Sequence, residues 1–167
     1  MIAHLVLAVA SFGPACYLPP VSAPIAVPYV QPACRFCPGH RGLEYSLSAD
    51  TPVQAVSAGT VTFAGAVAGV RYVVVLQPDG LRATYGLLIT MSVSSGDVIA
   101  PGRAVGLSST RLYFGLRDAD DEPVDPTSLL GRLVGRPRLV PVDGSGRRAG
   151  PPARLVCSAV VSGASAA

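Results

Sequence analysis

The chain has 167 residues, half of them apolar, with 18 glycines, 16 prolines and few aromatics. That mix fits one turn-rich β domain with tails and argues against a helical bundle or several large domains. The net charge of +3 comes from 13 basic residues, all of them arginine, against 10 acidic ones; no nucleic-acid partner is expected, and without a lysine the chain cannot carry a lysine-linked cofactor.

In chain order, Ile2 to Ala10 is an apolar run ending in the small-x-small triplet Ala8-Val9-Ala10, the pattern of a cleaved export signal. It is too short to span a bilayer, which takes ~20 residues, and it lacks the usual basic start. Export is the expectation for residues 1–10. The alternative is lipid acylation at Gly13-Pro14-Ala15-Cys16, which lacks the branched apolar residue such sites carry three places before the cysteine. The cysteines agree with an oxidising compartment. Cys34 and Cys37 form a tight pair, Cys16 and Cys157 flank the domain, and all four are disulfide candidates. A zinc site made of Cys34, Cys37 and His40 would lack a fourth ligand and a second close pair. A redox pair would want a helix N-terminus after a strand, and Pro32 and Pro38 surround this one.

Residues 11–38 carry Pro14, Pro19, Pro20, Pro24, Pro28, Pro32 and Pro38 and predict an extended wrap or linker. Periodicity begins after it. Leu43, Tyr45 and Leu47 alternate with Glu44, Ser46 and Ser48, a half-buried strand. The same alternation puts His40 and Glu44 on one polar face. Thr51–Val56 and Thr60–Gly65 follow as further strands. Tyr72–Leu76 is a continuous β-branched run, read as central. Gln77-Pro78-Asp79-Gly80 is a turn, with Pro presetting φ and Gly accepting positive φ, and Leu81–Tyr85 returns antiparallel. Ser95-Gly96-Asp97 and Pro101-Gly102 are turns. Val105–Leu107 and Arg111–Leu116 finish the sheet. Asp125–Leu130 reads as a capped turn or helical stub. Asp118, Asp120, Asp121 and Glu122 read as a solvated turn, since the glycine and distant glutamate of a calcium loop are missing. Between Arg132 and Arg154 lie six arginines against Asp143. This is a solvated basic tail, with peripheral contact to a membrane surface or acidic polymer as the alternative. No helix of normal length is predicted.

This order of motifs resembles the lysostaphin/LytM-type zinc metallopeptidases, which cut peptidoglycan. The resemblance spans residues 39–131. It rests on Gly39-His40-Arg41-Gly42-Leu43-Glu44, Thr51-Pro52-Val53 with Ala55, Gly59-Thr60-Val61 with Ala64-Gly65, and Tyr72-Val73-Val74-Val75. It continues through Gly80-Leu81-Arg82 with Tyr85, Gly96-Asp97-Val98, Leu112 with Phe114-Gly115, and Asp125-Pro126. It implies an all-β fold: an antiparallel, barrel-like sheet of the duplicated hybrid type, with a Pro-rich N-terminal segment and an irregular basic tail over 132–167.

The resemblance also implies a zinc site, from which this chain departs. In active relatives the first motif is His-x-x-x-Asp and both residues bind zinc. Here His40 matches, and Glu44 replaces the aspartate. The last motif is His-x-His, whose second histidine is the third ligand; here Arg111 and Tyr113 stand in those places. A further catalytic histidine is replaced by Leu87. A phenol is a poor zinc ligand at neutral pH because its pKa is ~10. Arginine stays protonated and is no base. A hydrolytic zinc takes about three protein ligands plus a water, and the chain has 2 histidines in all, His4 and His40. The metal positions are thus His40, Glu44 and Tyr113, no catalytic histidine is intact, and no cofactor is expected.

Three readings follow. In the first, the domain is exported to the envelope or beyond and inactive, binding cell-wall peptide or a wall-remodelling protein through a groove with Tyr85, Arg111 and Tyr113; Glu44, Arg111 and Tyr113 form a metal-free polar network in which Tyr113 donates to Glu44. In the second, an active zinc peptidase uses His40, Glu44 and Cys34 or Cys37. In the third, the chain is a structural envelope protein. Residues 51–108 also resemble a lipoyl or biotinyl hammerhead, excluded by the missing lysine. Oligomeric state is left open by the sequence.

Overall fold

The computed structural model describes residues 16–135 and 152–157. The expected signal over 1–10 lies outside the described residues, as do Arg136, Arg138, Arg147 and Arg148 of the tail. The strands are β1 (Ile25–Val27), β2 (Leu43–Ser46), β3 (Thr51–Gln54), β4 (Gly59–Val67), β5 (Val70–Leu76), β6 (Arg82–Met91), β7 (Val98–Ile99), β8 (Ala104–Arg117), β9 (Pro123–Val124), β10 (Arg132–Val134) and β11 (Arg154–Val156). Among the described residues the one helical element is a 3-10 turn, Pro126–Ser128, capped by the Asp125 carboxylate accepting from the Thr127 N–H.

Nine strands form one antiparallel sheet in the order β1-β2-β8-β6-β5-β4-β7, with β3 and β9 also on β8. The sheet is open, with β1 and β7 at its edges, where a barrel-like closure was expected. The sequence pattern divides 105–107 from 111–116. The structure joins them in one 14-residue strand. One half of β8 pairs with β3, the other with β2, and β6 runs along both. The polar Ser108-Ser109-Thr110 hides this continuity from the alternation. The predicted hairpin is present: Leu76 pairs with Arg82, and Gly80 takes φ of 87°. Gly102, in the Pro101-Gly102 turn, takes φ of 78°.

Leu43, Tyr45, Val53, Val61, Val73, Val75, Ala83, Tyr85, Leu112, Phe114 and Leu116 form the core on one face of the sheet. The Pro-rich segment covers part of it. Tyr17, Pro20 and Val21 are buried, the Leu18 N–H donates to the Val56 carbonyl at 2.9 Å, and the Gln54 N–H donates to that of Pro20 at 2.9 Å. The segment then adds β1 to the sheet edge instead of remaining only a wrap. Cys16 is disulfide-bonded to Cys157 and Cys34 to Cys37, so the Cys16 sulfur is not free for acylation. Within the tail, expected to be irregular, Arg132–Val134 and Arg154–Val156 pair as the ribbon β10–β11.

Burial pushes the phenol of Tyr45 up to about 12 and raises those of Tyr17 and Tyr85 further. The folded state thus favours neutral phenols, whereas the unfolded chain ionises near pH ~10. This contribution to stability is complete below that pH and is lost as pH rises through the folded values. Denaturation midpoints are expected to be flat from neutral to pH ~9 and to fall steeply above ~10, with the phenolate absorbance of these three buried rings appearing only as the protein unfolds. Where β6 and β8 pair, a Cβ on Gly106 would collide with the Thr90 carbonyl oxygen. Gly106→Ala must push β6 and β8 apart and is expected to cost about 2 kcal/mol or more, read as a lower urea midpoint.

Candidate functional site

Alternation along β8 sends Leu112, Phe114 and Leu116 into the core and leaves Arg111, Tyr113 and Arg117 on the opposite face. Strand pairing fixes their neighbours. Glu44 lies opposite Tyr113 and Ser46 opposite Arg111 on β2. Gly86 lies opposite Tyr113 on β6, and Tyr72 opposite Gly86 on β5. His40 is held just before β2 by two backbone hydrogen bonds with Val30, each 2.9 Å.

The centre of this face is the Glu44 carboxylate. One oxygen lies 3.5 Å from Nε2 of His40; the other accepts from Nη1 of Arg111 at 3.2 Å. The His40 Nδ1 faces the Pro28 carbonyl at 3.0 Å. Glu44 is 19% exposed and Arg111 62%. The expected Glu44–Arg111 pair is therefore present. The expected Tyr113–Glu44 hydrogen bond is not: the Tyr113 hydroxyl donates to the Arg41 carbonyl at 3.0 Å. The reason is the floor beneath the ring. A Cβ on Gly42, Gly86 or Gly115 would meet the ring or its hydroxyl at 2.8, 3.3 and 2.8 Å. Laid over these glycines, the ring reaches the loop before β2. Burial raises the Tyr113 pKa, and Arg117 partly opposes the rise. The His40 ring meets Tyr113 edge-on, 6.1 Å between centroids.

Leu87 occupies the bulge of β6, between Gly86 and Leu88, with φ of 65°. A left-handed conformation costs a side chain like leucine roughly 1–2 kcal/mol. Ser108 braces it: this buried hydroxyl lies 2.8 Å from the Leu87 carbonyl and 2.6 Å from that of Arg111, so one proton serves both. Leu87 and Arg111 line one cleft of about 270 Å³ with Arg71 and Thr110. Arg41 and Arg117 line another of about 430 Å³ with Cys34, Phe36 and Asp121.

Tyr85 does not belong to the groove. It is fully buried, its ring packs on Phe114 with centroids 5.4 Å apart, and its hydroxyl accepts from the Val56 N–H at 2.9 Å. Alternation along β6 gives the core face to Tyr85 and the open face to Gly86. The Cys34–Cys37 disulfide likewise removes both thiolates from the rearranged zinc set and from the Cys-Cys-His set. Among the described residues no three His, Cys, Asp or Glu groups converge. At the metal positions His40 and Glu44 offer lone pairs, a guanidinium faces Glu44, and the phenol points elsewhere; this does not make the three-donor set of a hydrolytic zinc. The acidic turn is folded on itself, with an Asp118 oxygen accepting from the Asp120 and Glu122 N–H groups at 3.0 and 2.9 Å. Asp121 pairs with Arg82 and Arg117 at 3.1 and 3.3 Å. Sequence reasoning missed Arg41, whose backbone anchors Tyr113, and Ser108, whose role depends on the bulge. Tyr72, which the sequence pattern marks only as the start of a strand, lies opposite Gly86 through a register that the sequence does not show.

The profile of peptidase family M23 matches residues 38–126. The chain belongs to peptidase family M23. The uncharacterized protein Rv2891 of Mycobacterium tuberculosis is 32% identical over 119 residues, 66% of this chain and 48% of that protein, so the chain spans about half that relative's length. The catalytic domain of lysostaphin from Staphylococcus simulans superposes with a TM-score of 0.54 at 21% identity, covering 62% of this chain and 89% of that one. A chain of the SpoIIQ–SpoIIIAH pore-forming complex superposes with a TM-score of 0.62 at 18% identity, covering 71% and 92%. These superpositions establish the fold of this M23 domain as the lysostaphin-type sheet.

Tyr85→Phe should leave the Val56 N–H buried without its acceptor and lower stability by about 1–3 kcal/mol in urea titration, while Arg111→Ala, which removes a mostly exposed guanidinium and leaves His40 beside Glu44, should cost only about 1 kcal/mol.

Proposed function

We propose that this M23 domain is a catalytically inactive binding module of the cell envelope or its exterior, which holds a peptide, from the wall or from a protein partner, on the open face of its sheet without a metal. The observation that carries the reading is the self-satisfied site. Arg111 neutralises Glu44 where relatives of the lysostaphin type would have a cation, and the Tyr113 hydroxyl is committed to the Arg41 carbonyl. No side chain at the histidine positions Leu87, Arg111 and Tyr113 can take a proton from water at neutral pH. The face itself suits an extended ligand: the Tyr72 and Tyr113 rings lie over Gly86 as a flat surface beside Arg111, with a cleft on either side. The two disulfides support an oxidising compartment and hence export. The likeness in fold to a chain of the SpoIIQ–SpoIIIAH complex supports a protein partner as one source of the peptide.

The test combines metal content with wall binding. The purified chain, dialysed against excess zinc and desalted, should retain far less than one zinc per molecule, leave the turbidity of a wall suspension unchanged, and sediment with insoluble peptidoglycan. Arg111→Ala with Tyr72→Ala should weaken that sedimentation about ten-fold or more, equivalent to ~1.4 kcal/mol. The double variant Glu44→Asp with Tyr113→His should gain one zinc, because it rebuilds a three-donor set. Stoichiometric zinc in the natural chain, or clearing of the suspension, would refute the metal-free reading; failure to bind either peptidoglycan or any envelope protein would refute the binding role.

A further inference from the structure

The turn Cys34–Cys37 forms one wall of the 430 Å³ cleft and is tied to the site through a single residue. The Arg41 guanidinium donates to the carbonyls of Arg35 and Cys37 at 2.6 and 3.2 Å, both inside the turn. The carbonyl of the same Arg41 accepts the Tyr113 hydroxyl at 3.0 Å. The turn is otherwise thinly held. One backbone hydrogen bond closes it, from the Cys37 N–H to the Cys34 carbonyl at 3.0 Å. Cys34 and Arg35 are exposed, and Phe36 at its tip is 91% exposed, so no apolar cover lies over it. The other disulfide is also open to solvent at Cys157 but is anchored at Cys16. Cys16 and Cys157 are 141 residues apart, and Cys16 adjoins backbone bonded on both sides, from the Tyr17 N–H to the Leu129 carbonyl and from the Gly131 N–H to the Tyr17 carbonyl, 2.8 Å each.

We propose that Cys34–Cys37 is a reducible clasp on the cleft wall, opened by a dithiol, and that its opening releases the Arg41 side chain beside Tyr113. A thiolate of the dithiol attacks the sulfur of the exposed Cys34. The Cys34–Cys37 bond breaks, and Cys37 leaves as a thiolate and takes up a proton. The cationic Arg41 at the Cys37 carbonyl favours that leaving group electrostatically. The second thiol of the reductant then attacks the mixed disulfide, so the reductant ends as a disulfide and Cys34 and Cys37 as thiols, two electrons and two protons having passed to the chain. Without the covalent link, the single backbone bond of the turn no longer holds the Arg35 and Cys37 carbonyls together for one guanidinium. The cleft wall loosens while the sheet and the Cys16–Cys157 staple remain.

The full chain is equilibrated in graded reduced-to-oxidised dithiothreitol without denaturant, alkylated, and mapped by peptide mass. Cys34 and Cys37 should become alkylated at a reductant ratio at least about ten-fold lower than Cys16 and Cys157, with the far-ultraviolet circular dichroism unchanged. In that partly reduced state, amide exchange at residues 35–41 should rise about ten-fold while β8 stays protected. The double variant Cys34→Ser with Cys37→Ser should reproduce the faster exchange without any reductant. If both disulfides open together, or if Cys34–Cys37 opens only in denaturant, the clasp is refuted; unchanged exchange at Arg41 refutes its link to Tyr113. No wall ligand enters these readouts, so their outcome is independent of the proposed binding role.

Discussion

Everything in this molecule depends on the two-faced alternation of β8. Its even-numbered residues Leu112, Phe114 and Leu116 fill the core, and its odd-numbered Arg111, Tyr113 and Arg117 stand on the open face. The strand contacts β2, β3, β6 and β9, so its register sets theirs. A slip of one residue would bury a guanidinium and expose two leucines and a phenylalanine, a change that the burial of apolar surface opposes strongly. The core thereby holds the site in place, although no core side chain takes part in it.

The energetics of the open face are of another kind. Arg111 is too exposed for its pair with Glu44 to contribute much to folding. Glu44 is mostly buried, and a carboxylate left alone there would be costly. The Arg111 guanidinium at 3.2 Å supplies its counter-charge. Tyr113 is held differently, by ring contact with a glycine floor and one hydrogen bond to a backbone carbonyl. The site is thus neutralised and satisfied from within, while both clefts beside it stay open to ligands.

The margins of the sheet show how the fold is closed off. β1 is three residues long, and Pro24 and Pro28 on either side of it have no N–H to offer a further strand, which blunts that edge. β7, at the other edge, has two residues. The Cys16–Cys157 disulfide fastens the first covering segment to the ribbon at the far end of the described chain. A cross-link over so long a separation chiefly restricts the unfolded state.

Much of this was legible in the sequence. The alternation of Leu43, Glu44 and Tyr45, the β-branched run at Tyr72–Leu76 and the Pro-Asp-Gly turn all act within a few residues, so local chemistry determines them. Those signals set an all-β sheet, placed His40 and Glu44 on one face, and paired Glu44 with Arg111 by family resemblance. Tyr85, expected in the groove, shares the parity of the buried Ala83 and points into the core. The continuity of β8, the open edges, the left-handed bulge at Leu87, the turn of Tyr113 toward Arg41 and the pairing of the four cysteines were decided only by the tertiary structure. Each depends on which strands adjoin and how far a side chain reaches across them, and such distances are set by register and packing between segments remote in sequence.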